Sequence, residues 1–298
     1  KMAEKVLTQA GFTKLHPVES QMQPDGTFPT VDFPNPEEPG AMDLAIEKAR
    51  QVDADLILAN DPDADRLAVG LRHNGEYQML SGNQLGILLA DYISKNHSSG
   101  TLAASYVSSI QIVDLAKFYG LDYELTATGF KWISKVDGLI FGFEEALGYC
   151  VDPQFTSDKD GLTAALLISV IANQLQSEGL TLMDRLQQIA QFTGFYETDQ
   201  ISLRLASPQK VAETVSQIKS AGELAVDGKT IQITDLAQIN PQLDMLEIKF
   251  DDKSKALIRA SGTEPKLKCY LEAQGSSSEE AKAQLEQIRN SVKKILEQ

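Results

Sequence analysis

Residues 54–66 read ADLILANDPDADR, and this stretch decides how the fold is interpreted. The mostly apolar run Ala54–Ala59 predicts a strand covered on both faces, and acidic residues follow where that strand ends. Ligand sites in open α/β sheets favour this location. If the loop is extended, Asp61, Asp63 and Asp65 point to the same side. Because three converging carboxylates repel one another and hard oxygen ligands select Mg²⁺ or Ca²⁺, the spacing predicts a metal site.

The acidic loop has two other interpretations, an EF-hand and a solvated turn. An EF-hand requires Gly at the sixth position and Glu at the twelfth, where this sequence has Arg66 and Arg72, so calcium sensing is excluded. A solvated acidic turn stays open, because aspartates favour turns. If the loop binds a metal, Arg66 is the candidate to hold a transferring phosphoryl oxygen.

The chain on both sides of this loop alternates helix and strand signals. The periodic patterns predict helices at Met2–Ala10, Ala41–Val52, Gln111–Tyr119 and Leu162–Leu175, and strands at Phe12–Val18, Ala104–Ile110 and Leu121–Leu125. This alternation predicts α/β domains. Five prolines between residues 24 and 40 predict an ordered loop.

The C-terminal part has a different pattern. It predicts strands at Gln200–Leu205, Met245–Phe250, Lys255–Arg259 and Leu267–Ala273, and helices at Pro208–Ser220 and Ser278–Glu297. Strands that follow one another closely, with a helix before and after them, indicate an antiparallel sheet with helices on one face. We therefore expect an α+β domain here.

Composition limits the partners. The 298 residues carry 27 Lys+Arg against 42 Asp+Glu, a net charge of −15, which disfavours nucleic acid and anionic membranes. A phosphorylated ligand would need locally concentrated cations or a metal. Two cysteines, Cys150 and Cys269, exclude a disulfide scaffold and a four-ligand zinc site, and no apolar run reaches ~18 residues. A cytoplasmic protein that does not span a membrane is predicted.

A second motif, RASGTEP at residues 259–265, has the chemistry of a phosphate site. Arg259 offers a planar fork of donors, Ser261 and Thr263 offer hydroxyls, and Gly262 permits close backbone approach. The spacing of a Walker loop is absent. An ordinary Ser-Gly-Thr turn is the alternative.

Two further stretches carry weaker signals. Glu144 and Glu145 follow an apolar run and could accept hydrogen bonds from sugar hydroxyls, although this stretch taken alone favours a solvated Glu pair. Lys159 precedes a predicted helix, where a cation opposes the dipole and could face an anionic ligand. Ser157 and Asp160 fit a capping box at this helix start, which explains everything except the lysine.

Taken together and in this order, the motifs resemble the α-D-phosphohexomutases, the family of phosphoglucomutases and phosphomannomutases. Asp61–Arg66 resembles the family's magnesium loop with Pro62 in place of a glycine, Glu144–Gly148 its sugar-binding loop, and Lys159–Gly161 its Lys-Asp-Gly segment. Thr128, Gly129 and Lys131 resemble its other sugar-contacting loop. Arg259–Pro265 resembles its phosphate-binding loop.

The resemblance implies three domains of a four-domain protein. They are two three-layer α/β mixed-sheet domains at residues 1–99 and 100–193 and a smaller α+β domain at residues 194–298. The family's phosphorylated serine lies in a first-domain Thr-Ala-Ser-His-Asn-Pro segment, which this sequence lacks. We expect the chain to be part of a longer protein, without that serine domain and without the first strand of the domain that follows it. Ala146 stands where many relatives have a serine that contacts the sugar.

The resemblance also implies an activity. The family interconverts glucose 1-phosphate and glucose 6-phosphate through a phosphoserine and a glucose 1,6-bisphosphate intermediate, which also serves as activator. Arg66 and Lys159 would be catalytic, and Mg²⁺ would be held by Asp61, Asp63 and Asp65. We expect this chain to be inactive alone.

Several alternatives stay open. The sugar could be mannose or a pentose, as in phosphomannomutases and phosphopentomutases, or the chain could be a non-enzymatic sugar-phosphate binding module. A phosphatase of the haloacid-dehalogenase type also uses an Asp-x-Asp loop after a strand, with Asp61 or Asp63 as nucleophile, but it leaves the Arg259 loop without a role.

Overall fold

The computed structural model describes residues 1–226, 229–251, 253–261 and 265–296. The chain divides into two compact units, one containing residues 1–108 and 112–189 and the other residues 109–111 and 190–298. None of the described helices is both long and apolar enough to cross a membrane. The predicted three-domain division at residues 99 and 193 stays a prediction.

The first unit contains helices and strands in alternation. In chain order they are α1 Met2–Gln9, α2 Asp43–Val52, β1 Leu56–Ala59, β2 Ala68–His73, β3 Glu76–Met79, α3 Gly82–Lys95, β4 Thr101–Ser105, α4 Gln111–Tyr119, β5 Asp122–Thr126, α5 Phe130–Ile133, β6 Leu139–Glu144, β7 Gly148–Cys150, α6 Gly161–Ser177 and α7 Leu182–Thr193. The last four residues of α7 and the first of α4 belong to the second unit.

A three-stranded antiparallel sheet in the order β1-β2-β3 presents the acidic loop. β2 and β3 form a hairpin whose two-residue turn, Asn74-Gly75, has positive φ at both positions, as a type I′ turn requires. Within the described residues, β1 pairs only with β2, and Leu56, Leu58 and Ala59 are only partly buried, so the prediction that both faces are covered was wrong. A cavity of about 730 Å³ borders β1, α1, α2 and the proline-rich loop.

A mixed four-stranded sheet in the order β5-β4-β6-β7 presents the glutamate pair. β4 runs parallel to β5 and β6, and β7 returns antiparallel to β6. Gly142 and Phe143 are adjacent in β6 and therefore point to opposite faces. A Cβ on Gly142 would touch Ile133 of α5, whereas the ring of Phe143 lies against Gly86 of α3. Helices thus cover both faces, and the predicted three-layer arrangement is confirmed here.

The second unit is an α+β structure. Its elements are β8 Phe195–Arg204, α8 Pro208–Ala221, β9 Glu223–Val226, β10 Lys229–Asp235, β11 Leu246–Lys249, β12 Lys255–Ala260, β13 Lys266–Gly275 and α9 Ser278–Leu296. All the strand pairings between described residues are antiparallel, in the order β8-β13-β12-β11-β10-β9. One core contains residues of α8, α9 and alternate sheet positions, so both helices pack on the same face, as predicted.

Candidate active site

The acidic loop after β1 is held in shape by its own hydrogen bonds. Asn60 Nδ2 donates to the Arg66 carbonyl at 2.7 Å, and the Arg66 amide donates to Asp61 Oδ1 at 3.0 Å. The Ala64 amide donates to the Asp61 carbonyl at 3.0 Å, and Ala64 has a φ of 59°. The loop is therefore a closed turn with one left-handed residue, not the extended segment assumed from the sequence.

This turn brings the three predicted metal ligands together. One carboxylate oxygen from each of Asp61, Asp63 and Asp65 lies within 4.8 Å of the other two. Burial raises the pKa of Asp61 above its ordinary value, and the charges of Asp65 and Asp63 act in the same direction against a backbone hydrogen bond. Asp65 Oδ1 is buried and has no hydrogen-bond partner within the described part of the chain. A cation would relieve both the repulsion and the orphaned oxygen, so this donor set fits Mg²⁺.

The two predicted catalytic cations reach the same loop. Arg66 Nε lies 3.5 Å from Asp61 Oδ2 and 3.9 Å from Asp65 Oδ1. Lys159 Nζ lies 2.8 Å from Asp65 Oδ2. Arg66 Nη1 also lies 4.0 Å from Glu37 Oε2, a carboxylate from the proline-rich loop that sequence reasoning gave no role. Both cations can therefore face a phosphoryl group that approaches the carboxylates.

The start of α6 positions Lys159. Asp160 is the N-cap, because its Oδ1 accepts from the amides of Leu162 and Thr163 at 2.9 and 3.2 Å. The capping box predicted for Ser157 is wrong, since the Ser157 hydroxyl donates to the Ser134 carbonyl. Lys159 therefore precedes the cap and is free to point away from the helix dipole.

Gly161 allows α6 to touch the acidic loop. Its amide donates to the Ala64 carbonyl at 3.1 Å. A Cβ at this position would lie 2.2 Å from the Arg66 carbonyl oxygen and 2.6 Å from Asn60 Nδ2. Only glycine permits this approach, and the backbone of the loop is consequently fixed from two sides.

The predicted sugar-contacting residues lie at the end of β6 and in the loop before α5. Glu144 accepts from the Gly129 amide at 2.7 Å. Burial raises the pKa of Glu144, with Glu145 acting in the same direction. Thr128 Oγ1 is buried and unpartnered among the described residues, so it is available to a ligand hydroxyl. Lys131 is exposed, and its Nζ lies 5.3 Å from the centre of the Trp132 ring.

One backbone pairing joins the acidic loop to the turn between β6 and β7, which follows Glu144. Arg66 and Gly148 form an antiparallel bridge, and the Leu67 amide donates to the Leu147 carbonyl at 3.0 Å. A Cβ on Gly148 would lie 2.5 Å from Cδ of Lys159, so the lysine stem crosses this glycine. The charges of Lys159 and Arg66 lower the pKa of Glu144, although burial outweighs them. The residues predicted for metal and for catalysis thus lie close to Glu144, which the Gly129 amide in turn contacts.

The predicted phosphate loop belongs to the second unit. Arg259 is half-buried near the end of β12, and the Ser261 amide donates to the Lys266 carbonyl at 2.8 Å, which closes the two strands. Arg259 lies directly opposite Lys268 on β13, and like charges in this register are unfavourable unless an anion lies near them. Gly262 and Thr263 lie outside the described residues.

Sequence reasoning missed two sets of neighbours. Glu37 carried no signal beyond its place in the proline-rich loop. Ser105 and Ser108 hydrogen-bond to Glu145 from the end of β4, as described below. The sequence predicted a strand at Ala104–Ile110 that contains both serines, whereas β4 ends at Ser105, so their position at a strand end was not visible from the sequence.

Comparison with known proteins gives three family matches in chain order. The models of the phosphoglucomutase/phosphomannomutase alpha/beta/alpha domain II, alpha/beta/alpha domain III and C-terminal domain match residues 1–75, 81–192 and 201–291. The chain belongs to the α-D-phosphohexomutase family. The predicted family and fold class are confirmed.

Curated phosphohexomutases are similar over almost the whole chain. A Haemophilus influenzae protein named "Probable phosphomannomutase" is 42% identical over 99% of this chain and 61% of its own length. A Mycoplasmoides pirum phosphomannomutase is 32% identical over 99% of this chain and 56% of its own. A Staphylococcus aureus phosphoglucomutase is 32% identical over 90% of this chain and 53% of its own length. The chain spans about half to three-fifths of the length of these relatives.

Solved phosphohexomutase structures share the fold. The open form of parafusin, an exocytosis-sensitive phosphoprotein and phosphoglucomutase from Paramecium, matches with a TM-score of 0.68 at 19% identity, over 89% of this chain and 50% of its own. A phosphoglucomutase/phosphomannomutase family protein from Burkholderia thailandensis matches with a TM-score of 0.62 at 16% identity, over 91% of this chain and 52% of its own.

Proposed function

We propose that this chain supplies the magnesium, sugar and phosphate sites of a phosphoglucomutase that interconverts glucose 1-phosphate and glucose 6-phosphate. The reaction would pass through a phosphoserine and glucose 1,6-bisphosphate, which also acts as activator. The phosphoserine would come from a segment outside these 298 residues, since no Thr-Ala-Ser-His-Asn-Pro sequence occurs among them. The site neighbourhood in the first unit and the three family matches support this proposal.

The observation that carries the proposal is the backbone pairing between the two loops. Because Arg66 pairs with Gly148, the carboxylate cluster and Glu144 are held near each other without a ligand. Preorganised groups of opposite character, one set for a phosphoryl group and one for sugar hydroxyls, are what a phosphosugar reaction requires. A phosphatase of the haloacid-dehalogenase type has no need for the second set.

Each predicted residue has a role in this proposal. Asp61, Asp63 and Asp65 would hold Mg²⁺, which when bound polarises a phosphoryl oxygen and offsets its charge. Arg66 would bind the oxygens of the transferring phosphoryl group, and its ion pair with Asp61 orients the guanidinium toward that position.

Lys159 would contact the reacting hydroxyl or the phosphate. Glu144 would accept from vicinal sugar hydroxyls, with Thr128 beside it and the Gly129 amide fixing its orientation. Lys131 would contact the sugar phosphate from the edge of this loop.

The spectator phosphate would be held by the loop after β12. Arg259, Ser261, Gly262 and Thr263 are the proposed ligands, in either orientation of the bisphosphate. Positioning and charge stabilisation supply most of the rate in phosphoryl transfer, so the two phosphate sites and the sugar site carry the catalysis.

Phosphomannomutase activity is the second candidate, because the protein with 42% identity carries that name. Ala146 stands where many family members have a sugar-contacting serine, which leaves the choice of sugar to Glu144 and its neighbours. Comparing the affinities for glucose 1-phosphate and mannose 1-phosphate separates the two candidates.

The test is ³¹P NMR of the purified chain with Mg²⁺, glucose 1-phosphate and a trace of glucose 1,6-bisphosphate. We expect the glucose 1-phosphate resonance to shift or broaden with no product formed. Arg259→Ala should abolish the shift, and Lys210→Ala is the matched control, because Lys210 is an exposed cation of α8 that pairs with Glu213.

Three results would contradict the proposal. If the parent chain leaves the glucose 1-phosphate resonance unchanged, the chain has no sugar-phosphate site. Accumulation of glucose 6-phosphate would show that a nucleophile lies within this chain, and accumulation of inorganic phosphate would favour the phosphatase.

A further inference from the structure

The second glutamate of the pair, Glu145, is anchored to the end of β4. Its Oε2 accepts from Ser105 Oγ and from Ser108 Oγ, each at 3.1 Å, and its amide donates to Ser108 Oγ at 3.0 Å. The two serine oxygens lie 2.7 Å apart, and both serines are buried. Side chain and backbone of Glu145 are therefore tied to the same two hydroxyls.

The two serine hydroxyls supply the protons of the side-chain bonds to Glu145. Each hydroxyl donates to Oε2, and Ser108 Oγ also accepts from the Glu145 amide. Burial raises the pKa of Glu145, and the Glu37 charge acts in the same direction, against the hydrogen bonds to the carboxylate.

The start of α3 lies against the backbone of Glu145. A Cβ on Gly82 would lie 1.8 Å from the Glu145 carbonyl oxygen, so no larger residue fits. The Tyr149 hydroxyl donates to the Gly82 carbonyl at 3.3 Å and ties the helix start to β7. The position of Glu145 is thus set by β4, α3 and β7 together.

Glu144 is bonded directly to this fixed point. Consecutive Cα atoms are held about 3.8 Å apart, so a shift of Glu145 displaces the end of β6 that carries Glu144. The carboxylate of Glu144 reaches the Gly129 amide only while the turn keeps its present position. We infer that Glu145 is a positioning residue that holds Glu144 in its sugar-contacting geometry through the hydroxyls of Ser105 and Ser108. The sugar part of this inference rests on the proposed function.

The first measurement is amide hydrogen exchange at Gly129, which needs no ligand. Glu145→Ala and Ser108→Ala should each raise the exchange rate at Gly129 tenfold or more, because Glu144 no longer holds its acceptor position. Glu145→Gln should restore the parent rate, since an amide can both donate to and accept from the serines. Asp91→Ala, which removes a buried acid elsewhere in the same unit, is the control for general destabilisation and should leave Gly129 protected relative to its neighbours.

The second measurement compares two probes, glucose 1-phosphate and inorganic phosphate. Glu145→Ala and Ser108→Ala should weaken glucose 1-phosphate binding about tenfold and leave inorganic phosphate binding unchanged. If Glu145 and Ser108 only stabilise the fold, the variants should bind glucose 1-phosphate and inorganic phosphate more weakly to the same extent.

The inference is overturned if Glu145→Ala and Ser108→Ala both leave the exchange rate at Gly129 unchanged. It is also overturned if these variants lose affinity for glucose 1-phosphate and for inorganic phosphate to the same extent. If the exchange responds but the parent chain does not bind glucose 1-phosphate, the positioning role stands and the proposed function fails.

Discussion

The contact between Gly161 and the acidic loop gives a sharp prediction for Gly161→Ala. The added Cβ would lie 2.2 Å from the Arg66 carbonyl oxygen, and real contacts of this kind are not shorter than 3.0 Å. The loop backbone or the start of α6 must therefore move by about 0.8 Å or more. The opposing atom belongs to the backbone, so no side-chain rotation can relieve the clash.

The expected magnitude follows from this displacement. Overpacking of this kind costs about 1–3 kcal/mol, which lowers the unfolding temperature of a unit of this size by roughly 2–10 °C. Metal ligands tolerate displacements of only about 0.2 Å, and a shift near 1 Å can cost up to about 100-fold in function. Because the aspartate side chains can partly compensate, we expect Mg²⁺ affinity to fall about tenfold.

Isothermal titration with Mg²⁺ and thermal unfolding would measure both effects. The control is Gly26→Ala, because a Cβ on Gly26 meets nothing within 4 Å. If Gly161→Ala has the same Mg²⁺ affinity and unfolding temperature as Gly26→Ala, α6 does not fix the acidic loop and the prediction is wrong.

Four further predictions concern the first unit and the two thiols. Arg185→Met should destabilise the fold by about 2 kcal/mol in urea unfolding, because the buried Asp91 carboxylate loses its two-bond partner and keeps only Lys95 and Tyr119. Burial raises the pKa of Asp91, but hydrogen bonds and charges from its partners outweigh burial and lower the pKa below its ordinary value of 3.8. The stability that ionised Asp91 contributes is therefore present above about pH 3.8 and is lost as the pH falls further. Asp91→Asn should flatten the acid dependence of the free energy of unfolding between about pH 5 and pH 2. Glu144→Gln should weaken glucose 1-phosphate binding about tenfold by titration calorimetry without changing Mg²⁺ affinity, and equal loss of both would contradict separate roles. Burial raises the pKa of Cys150 and of Cys269 to about 12, so thiol reagents at pH 8 should label neither before unfolding.

Much of the fold could be predicted from sequence because its periodic segments are long. The helix predicted at Gln111–Tyr119 has those bounds in the structure, and α6 and α9 differ by a residue or two at their ends. The strand predicted at Phe12–Val18 was wrong, since this segment is irregular and Pro17 lacks the N–H that a ladder requires. The hairpin at Asn74-Gly75 was not predicted, although this dipeptide between two strand segments is a strong turn signal.

The candidate site was predictable where its chemistry is local and not where it depends on tertiary contact. Spacing along one loop was enough to indicate that Asp61, Asp63 and Asp65 converge. No local pattern connects Ser108 with Glu145, which are 37 residues apart in sequence. Glu37 reaches Arg66 from 29 residues away for the same reason. Such pairs exist only after the sheets have formed, and burial then gives them their altered pKa values.

The pairing of Arg66 with Gly148 has a consequence for how this enzyme family can diversify. The spacing between the acidic loop and the turn after β6 is set by backbone groups and not by side chains. Under the proposed function, Ala146 can therefore be exchanged to suit another sugar while Glu145 and the backbone pairing keep the spacing of the two segments. The choice of sugar and the phosphoryl chemistry can then change independently of each other.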